Sequence, residues 1–155
     1  MPDKKYLFTP DGLAKLQAEL DYLRTVRRQK VAEAIQHAKE TGGTANNAEY
    51  DDAKDEQARV EGRIRTLEIM MNRAVVSLPD RDNPRIEFGD RVTVRNQSDT
   101  EEVFTIVGSA EANPSEGRIS NESPVGRALL DKKVGDEVQI NVPAGVIKLV
   151  VTKIG

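Results

Sequence analysis

The chain has 155 residues, of which 32% are charged and 4% aromatic, and its net charge at pH 7 is −3. This length allows one domain or two small ones, and the slightly acidic balance argues against wholesale binding of nucleic acid. The absence of cysteine excludes disulfides, thiolate zinc sites and thiol catalysis. A Ser-His-Asp triad would have to use the single histidine, His37, which we expect to face solvent on a helix. Because no run of about 18 apolar residues occurs and residues 1–5 lack the apolar stretch of a signal peptide, we expect no membrane span and a cytoplasmic location.

The first half of the chain has the pattern of two helices that pack against each other. Thr9, Pro10 and Asp11 are typical of a helix start, with a hydroxyl N-cap, a proline at the first helical position and an acid in the first turn. Two narrow apolar stripes follow at three- and four-residue spacing, the first at Leu13, Leu16, Leu20, Leu23, Val31, Ile35 and Ala38, the second at Ala53, Val60, Ile64, Leu67, Met71 and Ala74 with Gln57 in the gap. Such stripes are typical of a coiled-coil seam. They predict an antiparallel hairpin whose first arm ends near Thr41 and whose second runs from a cap at Asn46 or Asn47 to about Arg73.

The turn of this hairpin is the first candidate functional segment. Two adjacent glycines favour the bend, since glycine adopts the positive φ that a helix end often needs. An arm of about 30 residues would be on the order of 45 Å long, so the hairpin would carry its tip far from its base. The candidate tip residues are Gly42, Gly43, Thr44, Ala45, Asn46, Asn47, Glu49 and Tyr50.

Charged side chains cluster on both predicted arms. The first arm carries a basic patch, which we define as Arg24, Arg27, Arg28 and Lys30, and the second begins with the acids Glu49, Asp51, Asp52, Asp55 and Glu56. A charge run of this kind is typical of a solvated helix face. The alternative is contact with a phosphate backbone or an acidic protein surface.

The second half has the pattern of a small sheet. The proline-rich segment from Leu78 to Pro84 predicts a linker, so we expect a hairpin domain over residues 1–78, a linker over 79–84 and a β domain over 85–155. Period-two alternation then predicts strands, at residues 91–95, 103–107, around 119, 138–142 and 146–154. A short helix is predicted after Ser123, with Pro124 at its first position. The fold class is therefore α+β, a coiled-coil hairpin followed by an antiparallel sheet with one helix on a face.

Several stretches, in this order along nearly the whole chain, give it a resemblance to a known family. They are Thr9-Pro10-Asp11-Gly12-Leu13, Asn47-Ala48-Glu49-Tyr50, Glu61-Gly62-Arg63-Ile64, Phe88-Gly89, and Ser123-Pro124-Val125-Gly126-Arg127-Ala128-Leu129-Leu130 with Lys133, Gly135 and Asp136. Together they resemble the bacterial Gre family of transcription elongation factors. The resemblance implies that the β domain has a fold like that of FK506-binding proteins.

The resemblance also implies a function. The β domain would dock on core RNA polymerase at the rim of the secondary channel, with Ser123, Pro124, Val125, Gly126 and Arg127 at the contact. The hairpin would enter the channel, and two acids at its tip would help to hold a second Mg²⁺ while the polymerase cleaves backtracked RNA, a role that fits oxygen ligands for a hard cation. The chain itself would be a monomeric accessory factor without catalytic residues, metal or cofactor of its own, and it would contact the nucleic acids of the elongation complex only indirectly.

At the tip the chain departs from the family pattern. Aligned on Asn47-Ala48-Glu49-Tyr50, the two acidic positions fall on Gly43 and Asn46, neither of which carries negative charge. We therefore expect a Gre-type factor that occupies the channel and regulates elongation with weak or no cleavage. Ordinary cleavage stimulation through Glu40, through Glu49 or through a shifted register stays open. So do a generic coiled-coil adaptor and prolyl isomerisation, although the second half has few aromatic residues for the pocket that isomerisation needs.

Overall fold

The computed structural model describes residues 4–43 and 45–155, so that Thr44 of the predicted tip lies outside the described residues. The chain forms two compact units. The hairpin unit is Leu13–Arg73, and the sheet unit combines Ala74–Gly155 with the described residues that precede Leu13. Among the helices of the described ranges, none combines the length and apolarity needed to cross a membrane.

The two units divide the chain differently from the expected hairpin domain over residues 1–78. Strand β1, Tyr6–Phe8, pairs in parallel with strand β2, Ala74–Val76. The Ser77 N–H extends this pairing by donating to the Phe8 carbonyl at 3.1 Å. The segments before and after the hairpin are thus hydrogen-bonded to each other within the sheet unit. This pairing joins distant residues, so no local sequence pattern predicts it.

The hairpin unit is built from four helical segments. Helix α1 is Pro10–Tyr22, a π-helical segment follows at Leu23–Arg27, and α2 is Arg28–Gly42. Helix α3, Ala48–Asn72, forms the second arm. The predicted seam is confirmed, since its residues Leu16, Leu20, Val31, Ile35, Ala38, Ala53, Val60, Ile64 and Leu67 are buried. Leu13, Leu23, Gln57 and Met71 are half-buried at the same seam.

The π-helical segment has a cause in the spacing of the first stripe. A heptad pattern that starts at Leu13 and includes Leu23 would place the next apolar residue of its kind at position 30, but the sequence has Val31. A continuous α-helix would turn every seam residue after the extra one away from the other arm. A π turn, with its wider i→i+5 hydrogen bonds, takes up one residue and keeps the stripe aligned. The eight-residue step from Leu23 to Val31 is visible in the sequence, but the π turn was not predicted from it.

The described part of the sheet unit contains five further strands, one α-helix and a 3₁₀-helical turn at Pro114–Glu116. The strands are β3 Arg91–Arg95, β4 Glu101–Val107, β5 Arg118–Ser120, β6 Glu137–Val142 and β7 Gly145–Ile154, and helix α4 is Pro124–Leu129 between β5 and β6. They lie in the order β5-β4-β3-β7-β6. All neighbours are antiparallel except β4 and β5, which run parallel. The α+β class is confirmed, and the sheet is mixed at this one edge.

One face of this sheet forms the core. Val92 and Val94 of β3, Ile106 of β4 and Val151 of β7 are at most 1% exposed, and Leu129 of α4 is fully buried among them. The alternation of these residues with exposed ones is the period-two pattern of a strand with one buried face. Helix α4 covers the core because its apolar side lies against this face.

The predicted linker is hydrogen-bonded to the sheet unit. Both carboxylate oxygens of Glu87 accept hydrogen bonds from it, one from the Asp80 N–H and one from the Asn83 side-chain amide, each at 2.6 Å. Glu87 in turn donates its own N–H to Asp90 at 2.7 Å. Burial raises the pKa of the Asp90 carboxyl, the N–H bond from Glu87 partly opposes this, and the Glu87 charge adds to it. The proline-rich segment is thus a fixed loop of this unit.

Candidate functional site

The described tip of the hairpin is organised by Asn47. Its side-chain oxygen accepts from the Tyr50 N–H at 3.1 Å and caps α3, while its amide group donates to the Ala38 and Gly43 carbonyls at 2.8 and 2.7 Å. One side chain therefore forms hydrogen bonds with backbone groups at both the start of α3 and the end of the first arm. Of the two predicted caps, the structure selects Asn47. Asn46 lies in the turn with a φ of 54°.

Gly43 lies at the predicted bend. Its φ of 71° belongs to the region that favours glycine, and its N–H closes α2 by donating to the Lys39 carbonyl at 3.1 Å. A Cβ built on Gly43 would meet no atom within 4 Å. The bend therefore depends on the backbone conformation of Gly43, and space for a side chain exists there.

The nearest carboxylates to the tip already have partners. Glu40 accepts from the Gln36 side-chain amide at 3.0 Å, and Glu49 lies 3.7 Å from the His37 imidazole, with both of these side chains more than half exposed. The exposure of His37 is as predicted. Within the described residues, no three Asp, Glu or His side chains gather as a metal ion would require.

The basic patch is held by glutamates of the other arm. Arg24 pairs with Glu68 at 3.3 Å, Arg28 pairs with Glu61 at 2.8 Å, and Arg27 pairs with Glu56. Arg27 and then Arg59 lower the pKa of Glu56 through their hydrogen bonds, and the hydrogen bond from Arg28 lowers the pKa of Glu61. Three of the four cations in this patch thus connect the two arms, which favours a structural role for them. Lys30 is exposed.

The predicted docking segment forms a tight turn before α4. The Ser123 hydroxyl accepts from the Gly126 N–H at 3.1 Å and donates to the Ser120 carbonyl at 2.6 Å. Arg127 donates from Nε to the Glu122 carbonyl at 2.7 Å. Gly126 is buried, and a Cβ there would lie 2.0 Å from the Ser120 carbonyl oxygen. The serine, glycine and arginine therefore have structural reasons to be present, while the exposed Pro124 is open to a partner.

A buried carboxylate missed by sequence reasoning anchors the start of α1. Glu111, with 9% exposure, accepts from both the N–H and the hydroxyl of Thr9, at 2.8 and 2.7 Å. The Thr9 hydroxyl also accepts from the Gly12 N–H at 3.1 Å, which confirms Thr9 as the N-cap. Glu111 lies in a loop about a hundred residues after Thr9 in the sequence. The sequence therefore predicted the N-cap at Thr9 but not the carboxylate that binds it.

Comparisons with known proteins agree with the resemblance seen in the sequence. A family model described as "Transcription elongation factor, N-terminal" matches residues 6–76, and one described as "Transcription elongation factor, GreA/GreB, C-term" matches residues 81–155. Transcription elongation factor GreA of Chloroflexus aurantiacus is 50% identical over 99% of each chain. The GreA of Thermoanaerobacter pseudethanolicus is 51% identical over 97% of this chain and 98% of its own.

Two solved structures also match over nearly the whole length of both chains. GreA factor homolog 1 (Gfh1) of Thermus thermophilus is 30% identical, with a TM-score of 0.44 over 98% of this chain and 99% of that one. The GreA/GreB factor of Nitrosomonas europaea is 22% identical, with a TM-score of 0.42 over 97% and 98% of the two chains. Family models that together match most of the chain, and relatives at about half identity over nearly all of it, lead to one conclusion: this chain belongs to the GreA/GreB family of transcription elongation factors.

Proposed function

We propose that this protein binds core RNA polymerase, inserts its hairpin into the secondary channel and regulates elongation with weak or no stimulation of transcript cleavage. The family supports the polymerase as partner, with the segment Ser123–Arg127 as the docking element. The tip supports the second part of the proposal. Its described residues provide a glycine and an asparagine where the family pattern has acids.

The chemistry of cleavage explains why these two positions matter. Two-metal hydrolysis of a phosphodiester needs oxygen ligands with negative charge to hold the second cation and to orient the attacking water. Gly43 supplies no side chain, and the neutral amide of Asn46 is a weaker ligand than a carboxylate. The nearest acids, Glu40 and Glu49, lie outside these two positions, and each has an exposed contact with a neighbouring side chain, Gln36 and His37 respectively. In this proposal any cleavage belongs to the active site of the polymerase and to the Mg²⁺ held there, and the factor itself is not an enzyme.

A second candidate is a fully active cleavage factor that uses Glu49. The observation that favours it is the position of Glu49 in the first turn of α3, where its side chain is 58% exposed and held only by the 3.7 Å contact with His37. A pair this exposed is weak, so the carboxylate is free to turn toward a cation.

The test is transcript cleavage on a backtracked elongation complex of the cognate polymerase. We compare the wild type with a Gly43→Asp, Asn46→Glu double variant and with a neutral control, Gly43→Asn, Asn46→Gln. At position 43 the backbone has φ 71° and ψ −158°, a conformation essentially limited to glycine, so Asp and Asn are strained there alike and charge is the main difference between the two variants. We expect cleavage by the acidic variant alone, at least tenfold above the control.

Each other outcome has a definite meaning. Cleavage by the wild type, abolished by Glu49→Gln, would establish the second candidate. Failure of all three proteins to bind the polymerase in a parallel binding assay would overturn the proposed function as a whole.

A further inference from the structure

The middle of the hairpin differs from the parts on either side of it. The buried seam residues fall into a base half, with Leu16, Leu20, Ile64 and Leu67, and a tip half, with Val31, Ile35, Ala38, Ala53 and Val60. Between them lies the π-helical segment Leu23–Arg27, in which no residue is buried. Low local burial of apolar surface marks regions that open with little free energy.

The seam of the first arm is polar at this level. Arg27 occupies the position where the first stripe lacks an apolar residue. Its side chain is half-buried and pairs with Glu56 of α3. Hydrophobic packing therefore stabilises the two halves separately, while partly exposed ion pairs connect the arms between them. Such pairs contribute little individually.

The backbone of the first arm is also irregular at this level. A π turn inserted in an α-helix is a common site of bending. Within it, the Thr25 hydroxyl donates at 2.7 Å to the carbonyl of Asp21, which precedes the segment, a back-bond that often bends helices.

The second arm has its own weak point opposite the π-helical segment. Glu56 and Glu68, the α3 partners of Arg27 and Arg24, bracket Gly62. Gly62 is exposed, and a Cβ there would meet no atom within 4 Å, so packing does not require a glycine. Glycine in a helix interior weakens the helix, and the Thr66 hydroxyl donates to the Gly62 carbonyl at 3.0 Å, a second back-bond.

We propose that the π-helical segment and Gly62 form a waist at which the hairpin bends, so that its tip half moves as a body relative to its base half. The inference goes beyond docking and cleavage and concerns the free protein. If the proposed function is correct, bending at the waist would let the tip half change its orientation inside a narrow channel while the base half stays fixed.

Amide hydrogen exchange on the full chain, without polymerase, tests the waist. We expect amides of residues 23–28 to exchange roughly tenfold faster than those of residues 16–20 and 31–38, a difference of about 1.4 kcal/mol in opening free energy. Equal protection across the three segments would overturn the proposal.

Two variants act on the two arms separately. Deletion of Thr25 removes the surplus residue and restores heptad spacing from Leu13 to Ala38, and Gly62→Ala stiffens α3 without a clash. We expect each to slow exchange at the waist severalfold. The matched control, Thr25→Ala, removes the back-bond but retains the surplus residue, so we expect the π-helical segment to remain and the waist to keep its fast exchange.

The variants also separate this proposal from the proposed function. If both stiffening variants leave exchange at the waist unchanged, the waist is wrong whatever the polymerase does. If the wild type exchanges fast at the waist but fails to bind polymerase, the proposed function fails and the waist stands.

Discussion

The carboxylate of Glu111 is buried in the sheet unit, and Thr9 donates two hydrogen bonds to it. The pair joins the loop after β4 to the first turn of α1. Gly12 completes the arrangement, since a Cβ at this position would lie 1.9 Å from the Glu111 carboxyl carbon. A buried carboxylate without its partners is costly, so the glycine, the threonine and the glutamate depend on one another.

Gly12→Ala should therefore destabilise the protein by about 1–3 kcal/mol, because the new methyl group displaces the Glu111 carboxylate from Thr9. The matched control is Gly62→Ala, also within a helix but without neighbours at the new Cβ, which should stabilise by about 0.5–1 kcal/mol. Chemical denaturation of both variants measures the difference. Equal effects of the two substitutions on the free energy of unfolding would show that the Glu111 side chain moves aside without a loss of stability.

At the scale of elements, ion pairs between the arms accompany the hydrophobic seam along the hairpin. Besides those of the basic patch, Arg63 donates to both carboxylate oxygens of Glu19, at 2.8 and 3.0 Å. A bidentate pair has defined geometry and favours one register of the arms. These charges therefore align two helices whose apolar stripes are narrow.

Acid should loosen the hairpin through two of these glutamates. The pKa values of Glu56 and Glu61 in the folded protein lie below their ordinary value of 4.5. Their stabilising contribution is thus complete above that value and is lost as the pH falls through the lowered pKa. We expect a Glu56→Gln, Glu61→Gln double variant to be less stable at pH 7 than the wild type and to lose less stability on acidification.

Thermal unfolding followed by circular dichroism between pH 7 and pH 3 measures this difference. Glu33→Gln is the control, since Glu33 accepts only a 3.4 Å bond from Gln29 of its own arm. A double variant that loses as much stability as the control would assign the acid sensitivity to other groups.

At the scale of the whole chain, the hairpin unit is an insertion within the sheet unit. Strand β1 precedes the hairpin and β2 follows it, and their pairing closes the sheet unit across the insertion. Phe8 at the end of β1 is fully buried, whereas Val76, its partner in the pairing register, is 45% exposed.

Phe8→Ala should destabilise the sheet unit by about 3–5 kcal/mol through loss of a buried aromatic side chain. Val76→Ala, in the paired strand, should cost less than about 1 kcal/mol because its side chain is half exposed. Exchange protection of β3 and β7 after each substitution identifies the unit affected. Loss of protection confined to the hairpin would contradict the assignment of β1 to the sheet unit.

The sequence predicts the features that have a local signal. The hairpin, its caps and the short helix after Ser123 follow from periodicity and capping chemistry within a few residues of each other. The β1–β2 pairing, the bond between Glu111 and Thr9 and the parallel β4–β5 edge join distant residues, so that no local pattern encodes them. The neutralised basic patch escaped prediction for a related reason, since the register of the two arms decides which glutamate meets which arginine. The roles of the tip and of the docking segment stay predictions.

The place of β7 in the sheet has a consequence for synthesis of the protein. Strand β7 lies between β3 and the edge strand β6, so until β7 has left the ribosome β3 lacks one neighbour and β6 lacks its only one. The hairpin unit, Leu13–Arg73, is translated before β3 to β7, so we expect it to begin folding while the rest is still being translated. The nascent chain therefore presents its long arms first and completes the unit with the docking segment only after β7 has been translated.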